Sequence, residues 1–152
     1  NAHVSLAVNC GTTGPMSMAL RSYLHNALPE KFSGEAFASE GLVGIRGVCR
    51  AADAGQFVDG ICSLFEGMRK AGDKAVENAI LGAKADAEFD LFDSSLGVAR
   101  AVTNGVNPDA FKAVDKEAFT KAAEVACKGG VSIASVGDVG SVPYHGSIKG
   151  RF

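Results

Sequence analysis

The chain is 152 residues long, 47% apolar and 21% charged, which supplies one domain with a single core and excludes a disordered tail, a collagen-like fibre or a coiled coil. Its 15 Lys and Arg stand against 17 Asp and Glu, a formal net charge of -2. No run of like charges breaks that balance, so the basic stripe of a nucleic-acid-binding protein is missing.

No window approaches the roughly eighteen uninterrupted apolar residues that a membrane-spanning helix needs, so any membrane association is expected to go through a partner. The first residue is Asn1 and no charged-then-apolar leader follows it, which reads as a processed or truncated form.

The first expected element is a strand over His3–Val8, β-leaning and closed by Asn9 and Gly11. Its alternation is too loose for an amphipathic edge. Gly11-Thr12-Thr13-Gly14 follows as a turn that lacks the lysine and spacing of a phosphate-binding loop. Pro15 then opens a helix whose apolar positions are Met16, Ala19, Leu20, Tyr23, Leu24 and Ala27, ended by Pro29.

GEAFAS at 34–39 and LVGIRGV at 42–48 read as a hairpin turning at Glu40-Gly41, with Val43, Ile45 and Gly47 facing away from Leu42, Gly44 and Arg46. Asp53 with Gln56 has capping-box spacing at the start of a helix striped by Phe57, Ile61, Leu64, Phe65 and Met68. A longer helix starts at Asp73 and carries Val76, Ile80, Ala83, Ala87 and Leu91. A kinked continuation starts at Ser94 and runs to Asn104-Gly105.

Asn107-Pro108 punctuates the chain, and Asp115 caps the helix KEAFTKAAEVAC. Gly129-Gly130 stops that helix before a strand over Val131–Val136. The remainder, GDVGSVPYHGSIKGRF, reads as loop. The order β-α-β-β-α-α-α-α-β predicts an α+β two-layer sandwich, an antiparallel or mixed sheet with helices on one face. Gly55, Gly60, Gly67, Gly82 and Gly97 fall inside expected helices, where each costs about 1 kcal/mol against alanine, so those helices are expected to rely on close packing.

Chemistry-bearing patterns are sparse. Cys10, Cys49, Cys62 and Cys127 sit in apolar stretches with no C-x-x-C pair, and they read as reduced small hydrophobes of a reducing compartment. His3, His25 and His145 form neither H-E-x-x-H nor H-x-x-E-H and read as surface or helix-end residues. Asp86, Glu88 and Asp90, and likewise Glu35 and Glu40, read as solvated faces and not as acid/base couples. No G-x-S-x-G occurs, and no cysteine has a histidine near it in sequence.

Three stretches read together resemble a known family. Ser39–Lys70 contains SEGLVGIRGV followed by a turn and an amphipathic helix; Val76–Arg100 is similar to the family's long helix and the break after it; Ser132–Tyr144, SIASVGDVGSVPY, is similar to its closing strand and P-Y tail. The family is the core subunits of the mitochondrial cytochrome bc1 complex, relatives of the mitochondrial processing peptidase among the pitrilysin-type metallopeptidases, and the resemblance is to the C-terminal domain, over about residues 3 to 144. Ala51-Ala52-Asp53-Ala54-Gly55 is most like core protein II.

The resemblance implies one α+β domain over 1–144 with a tail at 145–152, in a non-catalytic structural subunit. It implies a place on the matrix side of the mitochondrial inner membrane, peripheral, in complex III. The implied partners are the first core protein, cytochrome b, cytochrome c1, the Rieske protein and a separate or missing N-terminal core domain. The family's inverted zinc motif belongs to that other domain, so no catalytic, cofactor-binding or metal residue is carried over, and no cofactor is expected. The segment that holds the glycine-rich gripping loop of the non-catalytic processing subunit is also missing, as Leu28 runs almost directly to Phe32. The other readings are a non-catalytic processing-peptidase subunit and an accessory subunit of another mitochondrial assembly such as ATP synthase or complex I.

Overall fold

The structure, a computed structural model, describes residues 1–93, 95–103 and 108–151. Its strands are β1 (Ala2–Asn9), β2 (Gly34–Ser39), β3 (Leu42–Cys49) and β4 (Val131–Gly137). They form one antiparallel sheet in the order β2-β3-β1-β4. The helices are α1 (Pro15–Ala27), α2 (Ala54–Arg69), α3 (Asp73–Asp93), α4 (Ser95–Thr103), α5 (Lys116–Lys128) and α6 (His145–Lys149). α1, α2 and α5 cover one face of the sheet, α3 runs along α1, and α4 packs on α3. The chain is therefore an α+β two-layer sandwich whose sheet is wholly antiparallel.

The loose alternation of β1 has a topological cause. β1 is a central strand, paired with β3 on one side and β4 on the other, and Ala7 on its outer side is buried along with Val4, Leu6 and Val8 on the inner one. A central strand tolerates small apolar residues on both faces, so its alternation weakens.

The hairpin of β2 and β3 turns at Glu40 and Gly41 as expected, with φ of 49° and 82°. Two successive left-handed residues make the tight turn whose twist matches the flanking strands. The register that follows pairs Ala36 with Ile45 and Phe37 with Gly44, which puts Val43 and Ile45 into the core.

From the helical side the core receives Leu20 and Leu24 of α1, Phe57, Ile61, Phe65 and Met68 of α2, and Phe119 and Ala123 of α5. Leu64 lies only partly buried at its margin. Along α3, Val76, Ala83 and Ala87 are buried and Ile80 and Leu91 half-buried, so that stripe also stands as expected. The helical glycines mark close approaches: a Cβ on Gly60 would come 2.7 Å from the Phe32 ring, and one on Gly82 would come 2.6 Å from Ser22 Oγ. Gly97 of α4 likewise lies on the backbone of α3 at Asp90.

Three local expectations are corrected or fall elsewhere. Asp115 caps α5, its Oδ1 accepting from Ala118 N–H at 2.8 Å, but Asp53 makes no such bond at the start of α2. A turn of 3₁₀ helix at Ala51–Asp53 gives Asp53 helical backbone angles, φ -96° and ψ -2°. A cap needs extended ones. Its carboxylate instead accepts from Arg50 Nε at 2.7 Å. The stretch after β4 is not all loop, because it contains α6 with Ile148 fully buried. The starts and stops expected at Ser94, Asn104-Gly105 and Asn107 lie outside the described residues.

Candidate functional site

Helices cover one face of the sheet, and the other face is open. Strand register sets its composition row by row, since outward side chains alternate along each strand. One row joins Val48, His3 and Val136; the next joins Glu35, Arg46, Ser5 and Ala134; the third joins Phe37, Gly44, Ala7 and Ser132. His3, Ser5, Val48, Ala134 and Val136 line a shallow groove of about 530 Å³ that runs across β1.

The middle of this face is small-residue surface, and its rim is apolar. Val136 is 72% exposed and Val48 38%. Arg46 and Glu35, opposite one another on the β3–β2 side, are joined by a 2.5 Å ion pair, which offsets the charge locally. A shallow, locally neutral groove of this kind matches an apolar or extended partner better than a charged small molecule. The sequence signal for it is the run of small residues at the outward positions Ser5, Ala7, Gly44, Ser132 and Ala134, legible only once the strand register is known.

On the helical side Leu81 and Phe89 of α3 and Val102 of α4 are each largely exposed.

The chemistry-bearing residues are scattered. His25 lies in the last turn of α1, exposed. His3 is on the open sheet face, and Nε2–H of His145 donates to the Val131 carbonyl at 2.8 Å. Asp86 reaches Arg21 at 3.6 Å and Glu88 reaches Lys84 at 3.9 Å, all of them exposed or half-exposed. Glu40 occupies the hairpin turn. The loop 11–14 is tied to the end of β1, Gly11 N–H donating to Asn9 Oδ1 at 2.9 Å, and within it Thr12 Oγ1 donates to the Thr13 carbonyl at 3.3 Å.

Among the described residues no three His, Cys, Asp or Glu side chains come together in a metal-holding group. The four cysteines are free thiols, three buried and Cys49 half-buried. Burial pushes the thiols of Cys49, Cys62 and Cys127 up, and the charge of Asp53 adds to the rise at Cys49. Such thiols stay protonated near neutrality and are poor nucleophiles. Burial likewise pushes the Tyr23 hydroxyl up. No described helix is long and apolar enough to cross a membrane.

No family model matches the sequence, and no curated protein does. Among solved structures, the fold is similar to a chain in the structure of complex III2 from Candida albicans with Inz-5 bound. The TM-score is 0.74 over 99% of this chain, at 11% sequence identity. At that identity the likeness establishes the fold and no more. This chain spans 46% of the length of that one.

Proposed function

We propose that this chain is a structural subunit, core protein II-like, of the mitochondrial ubiquinol–cytochrome c reductase, lying on the matrix side of the inner membrane without crossing it. One observation carries the reading: essentially the whole chain superimposes on part of a chain from a complex III2 structure. The three sequence stretches that resemble core subunits support it independently. The partners would be the other subunits of complex III, among them the first core protein, cytochrome b, cytochrome c1 and the Rieske protein, together with a second core domain. Within the chain, residues 1–144 would form the domain and 145–152 a tail.

In this reading the chain scaffolds and does no chemistry of its own. The open sheet face and the exposed Leu81 and Phe89 supply apolar surface of the kind that a permanent neighbour covers. Electron transfer would belong to the haem and iron–sulfur subunits of the assembly. The purified chain should leave presequence peptides intact, and chelator-sensitive cleavage by it would overturn the non-catalytic assignment.

The test of assembly is mild-detergent extraction of mitochondria from the source organism, native gel separation and mass spectrometry of the band that holds this chain. Comigration with cytochrome b, cytochrome c1 and the Rieske protein is the expected result. Comigration with ATP synthase or with a soluble peptidase would move the same fold to another assembly.

A further inference from the structure

The segment after β4 is attached to the domain in an unusual way. From Val139 to Arg151 its turn and helix-end backbone bonds are local, as in Val142 N–H to Val139, Ile148 N–H to Tyr144 and Arg151 N–H to Ile148. What holds the segment down is side chains. Ile148 is fully buried and Val142 half-buried against the core, while every other described residue of 144–151 is exposed. Nε2–H of His145 reaches the Val131 carbonyl at 2.8 Å, and Arg151 Nη1 donates to Asp59 Oδ1 at 2.5 Å. Gly140, Gly146 and Gly150 of the segment have no crowding neighbours beyond the segment itself.

These ties reach across two elements. Val131 opens β4, and Asp59 lies on α2, one helical turn before Cys62. Cys62 is 2% exposed, and the charge of Arg151, held at Asp59, draws its thiol down against the larger upward push of burial. The segment thus crosses the seam between β4 and α2, with a cysteine beneath its far end. Releasing the Ile148 plug, the half-buried Val142 at the core margin and two polar ties, one part-buried and one exposed, would free it without breaking a bond of the sheet, which is the condition for local opening below the free energy of global unfolding.

We propose that residues 139–151 form a strap that opens and closes as one unit on the otherwise folded domain, with Ile148 as its latch, and that the closed strap shields the Cys62 thiol. This is independent of the assembly in which the chain works. Cys127 supplies an internal reference, because it is equally buried, 2% exposed, and its thiol donates to the Phe65 carbonyl at 3.4 Å in the α2–α5 seam.

The experiment is native-state alkylation of the full chain with iodoacetamide across a series of urea concentrations below the unfolding transition, with the labelled cysteines resolved by peptide mass spectrometry. Expected is a Cys62 rate that changes little with urea and a Cys127 rate that climbs steeply, since local opening exposes little surface and global unfolding much. Ile148→Ala should raise the Cys62 rate about tenfold or more while raising that of Cys127 far less. If Ile148→Ala does not fold, Ile148→Val should give a smaller rise with the same preference. Parallel urea dependences for the two thiols, or equal rises in the variant, would show that the segment leaves only when the whole domain unfolds and would overturn the strap.

Discussion

The ring of Phe37 lies over Gly44, its cross-strand partner in the β2–β3 hairpin: a Cβ on Gly44 would stand 2.8 Å from Phe37 Cζ and 2.9 Å from the Ala7 Cα. The absent side chain leaves room for the aromatic ring on the outer face of the sheet, and it lets β3 approach β1, where the Leu6 carbonyl oxygen would be the nearest neighbour of such a Cβ.

Gly44→Ala should therefore destabilise the domain by about 1–3 kcal/mol, the usual range for overpacking. The ring can rotate away and the Ala7 backbone cannot. Phe37→Ala in the same chain should accordingly restore only part of the loss. Urea denaturation of the three variants checks this, and full restoration by Phe37→Ala would show that the backbone contact is soft.

At the other end of the sheet the Phe32 and Phe57 rings meet edge to face, with centroids 5.3 Å apart and planes at 88°. Phe57 is buried while Phe32 lies at the margin. Phe57→Ala should cost about 3–5 kcal/mol as a core truncation, Phe32→Ala clearly less. A double-mutant cycle should return a coupling of about 0.5–1.5 kcal/mol for the pair. Strict additivity would mean that the two rings act only through area.

Asp115 and Asp53 look alike in sequence, each an acid ahead of a helix, and the structure separates them. Asp115→Ala should lower stability by about 1 kcal/mol through the lost cap. Asp53→Ala removes only an exposed ion pair with Arg50 and should cost at most about 1 kcal/mol and commonly near zero. Thermal melts of both variants decide it, and equal losses would mean that Asp53 caps α2 in solution after all.

The buried thiols set the behaviour at alkaline pH. Cys62 and Cys127 have folded-state pKa values raised above their ordinary 9.0, and Tyr23 above its ordinary 10.0, burial being the first cause at all three. Between the unfolded and folded values the unfolded chain binds fewer protons than the native one, so stability falls as pH rises. Their contribution is fully present below about pH 9 and is lost as pH climbs through the folded values. Midpoints should be flat from neutrality to about pH 8 and decline above 9, with a weaker decline in Cys127→Ala after allowance for its lost packing. A midpoint that rises above pH 9 would contradict the sign.

Much of this fold is legible in the sequence because it rests on local signals. The bounds of α1 follow from Pro15 and Pro29, those of α5 from Asp115 and Gly129, and the β2–β3 hairpin from alternation around Glu40-Gly41. Among the helical glycines, Gly60, Gly82 and Gly97 announce close packing correctly, because a near neighbour offsets their propensity cost, whereas Gly55 and Gly67 have their nearest neighbours at 3.4 Å, close to ordinary contact. The Asp53 cap misleads because capping depends on backbone angles that a preceding 3₁₀ turn altered. α6 escapes for a related reason, since five residues are too short to stand by propensity and hold only because Ile148 is buried by residues far away in sequence.

What the sequence determined by itself is the identity and order of the periodic elements and the α+β class, because hydrophobic period and turn chemistry act over a few residues. Tertiary structure alone decided that β1 lies between β3 and β4, and with it the open face shared by Ser5, Arg46 and Ala134 and the strap over Cys62. These depend on pairing residues more than a hundred positions apart, as Val8 with Val131. Local propensity carries no information about such partners. They are chosen by the joint burial of apolar side chains from every element at once.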